Sequence, residues 1–335
     1  MKKQILLLAL IILILSGCQE QAEQELVMSM AEDVNNLNSI MGSVPDYKQI
    51  LDANEIKVSE DSFFREALAT ISPYCPLVVH GILIGGSRDG EWINASEIAG
   101  ELTGSEIYSL YNMDGKLGQA VGSMVELETE DWRGPYTEQV ELEYNLDIEF
   151  PTDPAYLFDN AFFAINCDSD VMPRIPVRQS LQSDIYKEII ADILAENGLN
   201  DAKVEILQNF KIDLDGDGTD EVILYAENVK EDNSTDYSSW RYDTSSGCFS
   251  ILILRKIIDG EVRDFILKID IHNREDNHDN FYVRYLFPVI GFADINGDGK
   301  MEIITTFHYY EGIGCDVYEV FDDGIELVLS NGFYV

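Results

Sequence analysis

Two short segments carry residue types that hold hard cations. The first reads Asp213-Leu214-Asp215-Gly216-Asp217-Gly218-Thr219-Asp220-Glu221. The second, 81 residues on, reads Asp294-Ile295-Asn296-Gly297-Asp298-Gly299-Lys300-Met301-Glu302. Each places a carboxylate or amide at positions 1, 3 and 5, glycine at position 6 and glutamate at position 9. Calcium takes about six to eight hard oxygens, and a tight loop aims alternate side chains to one side. Gly218 and Gly299 supply a backbone turn that a Cβ would obstruct. The main-chain oxygens of Thr219 and Lys300 fall at position 7, where a carbonyl commonly ligates. Position 12 would be Leu224 or Thr305, neither able to give the bidentate carboxylate of an EF-hand, and the flanks read as strands. The first loop has the fuller set of acids, so charge counting predicts tighter binding there than in the second, where Asn296 replaces a carboxylate.

The arrangement resembles the strand–loop–strand calcium motif of FG-GAP/VCBS repeats, known from integrin α-subunit propellers and bacterial surface proteins. The resemblance implies two Ca²⁺ sites with ligands at positions 1, 3, 5, 7 and 9. One site would be Asp213, Asp215, Asp217, Thr219 and Glu221; the other Asp294, Asn296, Asp298, Lys300 and Glu302. The family usually has Asp at position 9, so glutamate implies a longer reach. The wider second half, including Tyr309-Tyr310-Glu311-Gly312 and Val317-Tyr318-Glu319-Val320, resembles uncharacterised lipoproteins of Gram-positive bacteria. That second resemblance names no activity.

Other chemistry is thin. Of four histidines, His80 ends an apolar strand and reads as structural, while His272 and His278 sit in a polar stretch that reads as a solvated hairpin loop. His308 lies near Cys315, but no third member of a nucleophilic triad accompanies them. There is no GxSxG, HExxH or Walker-type loop. The catalytic residues of any enzyme reading are unknown, and the balance favours a protein that is not an enzyme.

The elements that must position these loops are mostly antiparallel strands, an α+β class. Gly81 to Trp92 reads as strand, turn, strand, with Gly85-Gly86 and Asp89-Gly90 as breakers. Asn94 to Leu102 reads as a short helix, and Asp114-Gly115 as a hairpin turn. Val140 to Phe150 alternates with the period of a half-buried strand. Ser183 or Asp184 caps the best helix; Ile185, Ile189, Ile190, Ile193 and Leu194 form its apolar face, and Asn197-Gly198 ends it. These signals divide the body into a β-rich domain at 46–180 and a C-terminal domain at 181–335. The latter is expected to hold two blade-like β units with one packed helix.

The chain's 335 residues carry 22 Lys+Arg against 62 Asp+Glu, a formal charge of −40. Such acidity repels phosphates and excludes a nucleic-acid partner, while it makes cations natural ligands. The 46% hydrophobic fraction excludes global disorder. Met1-Lys2-Lys3, the apolar run Ile5 to Leu15 and Leu15-Ser16-Gly17-Cys18 resemble a lipoprotein signal peptide (1–17) with its lipobox. The run is too short to span about 30 Å of hydrocarbon. Cys18 would carry the lipid, 18–45 would be a tether with one helical stretch around Leu26 to Leu37, and the protein would work extracytoplasmically, anchored to the cell membrane.

Four further cysteines permit two disulfides, with Cys75–Cys167 and Cys248–Cys315 the pairings that need least cross-domain geometry; buried free thiols are the alternative. The function expected is a lipid-anchored, calcium-binding surface protein, acting as an interaction module for a protein or glycan partner. The alternatives are an exported hydrolase of cell-wall or glycan material and a structural envelope spacer.

Overall fold

Strand alternation divides the apolar residues between two faces, and the sheets follow from burying both. The structure, a computed structural model, describes residues 74–127, 138–140, 142–144, 162–228, 247–272, 285–309 and 312–334. All of these belong to the compact unit Asp61–Val335. The expected leader, Cys18, and the expected tether with its helix lie outside the described residues, as do His278 and the 145–150 end of the alternating run.

The first sheet contains β1 (Leu77–Val79), β2 (Ile82–Arg88), β3 (Glu91–Asn94), β4 (Ile107–Asn112), β5 (Gly115–Gly122), β6 (Glu126–Leu127), β7 (Glu138–Gln139), β8 (Leu142–Tyr144) and β9 (Phe163–Ile165). Its order is β6-β7-β2-β1-β9-β4-β5-β8, with β3 paired to β2. Helix α1 (Ala95–Ala99) follows β3, and the Asn94 side chain accepts from the Glu97 N–H to cap it. The second sheet runs in sequence order: β10 (Val177–Arg178), β11 (Glu205–Ile212), β12 (Glu221–Glu227), β13 (Cys248–Ile258) and β14 (Glu261–His272). The third does the same with β15 (Val289–Ala293), β16 (Glu302–Tyr309), β17 (Gly312–Val320) and β18 (Ile325–Tyr334). The paired strands are antiparallel throughout the three sheets. This is the mostly antiparallel α+β class, with two short meanders in the second half and one helix packed on the first of them. Among the described residues no helix is long and apolar enough to cross a membrane.

Helix α2 (Asp184–Glu196) starts where its cap does, with Ser183 Oγ accepting from the Tyr186 N–H, and ends at Asn197 before Gly198 at φ 93°. Ile190 and Leu194 are buried against Leu224, Phe249, Ile251 and Ile253. Ile185 is 69% exposed, which removes it from the expected apolar face: it lies in the first turn, beyond the part of the helix that covers the sheet.

The other faces of the same strands feed a shared core. On β12, Ile223 and Tyr225 enter it while Leu224 and Ala226 face α2; on β13, Leu252 and Leu254 alternate likewise with Ile251 and Ile253. Leu77, Ile84 and Phe163 join this core from the first sheet, and Phe292, Ile303, Val317 and Leu329 from the third. The opposite face of the first sheet buries Val78, Leu83, Tyr108 and Leu110 with Ile98 of α1.

Gly85-Gly86 is not a breaker but lies inside β2, and Asp89-Gly90 alone makes the turn to β3. A Cβ on Gly86 would stand 2.4 Å from the Cys75 carbonyl oxygen, so the glycine permits close approach of two chains. Cys75 and Cys167 form a disulfide. Antiparallel register explains it: Leu77 pairs with Ile165, and each cysteine lies two residues outward from that pair. Cys248 and Cys315 are both buried, on strands of different sheets, so the second disulfide pairing is not made.

Candidate functional site

Each Asp/Gly loop joins two antiparallel neighbours, the first between β11 and β12, the second between β15 and β16. The glutamate at position 9 therefore opens a strand, and its side chain is buried: Glu221 is 2% exposed and Glu302 0%. In both loops this carboxylate reaches back across the turn. Glu221 Oε2 accepts from the Leu214 N–H at 2.8 Å, and Glu302 Oε2 from the Ile295 N–H at 2.7 Å.

The remaining bonds repeat one for one. Asp213 accepts from the Gly216 and Gly218 N–H groups through its two oxygens, and Asp294 from Gly297 and Gly299. Position 3 accepts from the N–H of position 5, and position 5 from that of position 7. Gly216 and Gly297 have φ 77° and 79°, Gly218 and Gly299 88° and 86°, values that favour glycine. These bonds fold the loops without a ligand.

Asp213, Asp215 and Glu221 bring one oxygen each within 4.8 Å of one another. The buried Lys256 Nζ donates to Asp215 Oδ2 and, at 3.2 Å, to Glu221 Oε1. Burial works against this ammonium, but its bonds to the two carboxylates outweigh that and hold its pKa above the ordinary lysine value. Asp217 is exposed at the loop tip, and Thr219 contributes its main chain.

The second loop has no lysine in that place. Glu302 Oε1 is buried and has no hydrogen-bond partner. Burial, and then the negative charges of Asp294, Asp298 and Glu319, push its pKa up to about 9 against the pull of the Ile295 N–H. Burial also raises Asp294, opposed by the N–H groups of Gly297 and Gly299. Asp298 is exposed, and Lys300 turns its ammonium outward to Asp322 at 2.9 Å.

Three residues outside the motifs matter here and carry no signal in loop spacing. Arg174 Nη2 donates to the Leu214 and Gly299 carbonyls at 3.0 and 2.8 Å, tying the two loops together. Lys256 and Glu319 reach the loops from neighbouring strands. A cleft of about 500 Å³ opens beside the second loop, lined by Asn296, Asp298, Ser87, Arg88 and the Cys75–Cys167 disulfide.

Among the described residues the histidines and cysteines assemble no nucleophile. Cys315 is buried, which raises its thiol pKa well above the ordinary value, with Asp316 adding to the effect, whereas nucleophilic cysteines need the opposite shift. His308 Nε2 shares a hydrogen bond with Thr306 Oγ1 at 2.9 Å. His80, half-buried and at φ 52°, has its pKa lowered to about 4 by the partial burial of its ring. Comparison with family models, curated proteins and solved structures returned no match to this chain.

Proposed function

We propose that the chain is a lipid-anchored, extracytoplasmic surface protein whose Asp/Gly loops bind calcium and whose body serves as an interaction module. The observation that carries this reading is the Glu302 side chain. A carboxylate oxygen left buried without a donor is costly, and a hard cation would satisfy it as no group among the described residues does. The donor set suits calcium: Asp294, Asn296, Asp298 and Glu302 with the Lys300 carbonyl are all oxygen ligands. The bound ion would supply charge neutralisation and fix the loop that borders the cleft. Attachment through Cys18, read from the lipobox, places the module at a membrane surface, with a protein or glycan as the partner class.

Calorimetric titration of the purified chain with calcium tests the ion. Heat that saturates, together with a melting temperature lowered by EDTA, is the expected result; no heat and identical melting would reduce both loops to acidic turns. Cys18→Ser tests the anchor separately, since it should block processing or release the chain from membranes.

A further inference from the structure

The two loops have the same backbone but opposite neighbours. Val222 on β12 pairs with Arg255 on β13, which sets Glu221 against Lys256. Ile303 on β16 pairs with Tyr318 on β17, which sets Glu302 against Glu319. The residue facing position 9 is thus a lysine in one repeat and a glutamate in the other. Position 3 changes in concert. Asp215 pairs with the Lys256 ammonium, whereas the Asn296 amide donates to Glu319 Oε1 at 3.2 Å. Trp92 Nε1 donates to the other oxygen, Glu319 Oε2, at 2.8 Å. An aspartate at 296 would repel Glu319, and a glutamate at 256 would repel Asp215; each pair of residues is consistent only with itself.

We propose that Lys256 takes the place of the metal in the first loop, so that the chain binds one calcium ion, at the second loop, with Glu319 adding to its negative field. This rests on the reading of the loops as cation sites and divides it between them. The ammonium bonds two of the carboxylates an ion would need, and its side chain is 3% exposed, so an entering ion would have to expel a buried charge. The close approach of Asp213, Asp215 and Glu221 follows from the positive charge already among them. The second loop offers no such group. There the orphaned Glu302 oxygen faces the carboxylates of Asp294, Asp298 and Glu319, and the loop's own Lys300, which lies near Asp298, hydrogen-bonds outward to Asp322. The inference reverses the order of affinity expected from counting acids in the motifs.

The test is calorimetric stoichiometry of the full chain with calcium chloride. Wild type should bind one ion. Asp294→Asn should weaken binding by at least about tenfold, since affinity follows ligand charge, while Asp213→Asn should leave it within about threefold. Lys256→Met should raise the stoichiometry to two. Two ions bound by wild type, or binding lost in Asp213→Asn and kept in Asp294→Asn, would overturn the division of roles while leaving the calcium reading intact. No binding by wild type or by Lys256→Met would overturn both. The two aspartate variants decide the matter even if Lys256→Met does not fold.

Discussion

The first and second Asp/Gly loops make the same hydrogen bonds at the same positions, yet they stand in different electrostatic surroundings. In the first, a buried lysine satisfies two carboxylates from within the chain. In the second, the equivalent strand position carries a glutamate, and the position 9 oxygen is left without a partner. A loop motif therefore specifies a backbone shape, and the strand beside it decides what charge that shape faces.

The sharpest way to break this comparison is Lys256→Met measured in EDTA. It leaves Asp215 and Glu221 without their counter-charge, and breaking a buried pair costs about 3–5 kcal/mol. Glu319→Gln under the same conditions relieves repulsion but turns one acceptor of the Asn296 and Trp92 bonds into a donor, so urea stability should fall by no more than about 1–2 kcal/mol, less than in Lys256→Met. Equal stability of Lys256→Met and wild type would mean that the lysine does not neutralise the first loop.

A pH scan sharpens the comparison by separating a background effect remote from both loops. His80 titrates near 6.5 when unfolded and at about 4 when folded. Its contribution is fully present above pH 6.5 and is lost as pH falls through 4, on the order of 3 kcal/mol in all. His80→Asn, chosen because asparagine tolerates a left-handed backbone, should flatten the acid limb of urea stability between pH 6.5 and 4. An unchanged slope would place acid sensitivity elsewhere.

Calcium removal comes next in size. With about 2 mM calcium and a site of about 0.1 mM, linkage gives ~1.8 kcal/mol for one ion, or about 5 °C in melting temperature. Calorimetric scans should show that shift vanish in Asp294→Ala and persist in Asp213→Ala. The smallest effect is expected from Arg174→Ala, which removes the shared donor to the Leu214 and Gly299 carbonyls. A loss of about 1–2 kcal/mol with a two- to threefold weaker calcium affinity would show that the loops are mechanically joined. An affinity left untouched would show them independent.

Much of this was legible where the signal is local. The Ser183 cap and Asn197-Gly198 stop bound α2, Asp114-Gly115 turns β4 into β5, and both loops lie where their spacing predicts. Partners set by strand register were not legible. Lys256 lies 35 residues beyond Glu221, Glu319 only 17 beyond Glu302, because residues 228–247 separate β12 from β13 whereas only 310–311 separate β16 from β17, so aligning the loops does not align the residues that face them. The same holds for cysteines. Register brings Cys75 opposite Cys167, but Cys248 and Cys315 belong to separate sheets, which their even count could not reveal. Gly85-Gly86 misled for a related reason: its role is to admit the Cys75 backbone, a neighbour distant in spacing but adjacent across the sheet.

The final strand has a consequence for how the molecule is made. β18 packs Leu329 into the shared core, and Asn331 Nδ2 donates to the Leu83 carbonyl, 248 residues upstream. A nascent chain that has finished the first sheet still lacks the layer that covers it, and must hold that apolar face open until β18 emerges. Contacts this distant in sequence make folding slow and leave partly synthesised chains prone to aggregation. Emergence of β18, rather than the folding of the first sheet alone, is thus the event that closes the core.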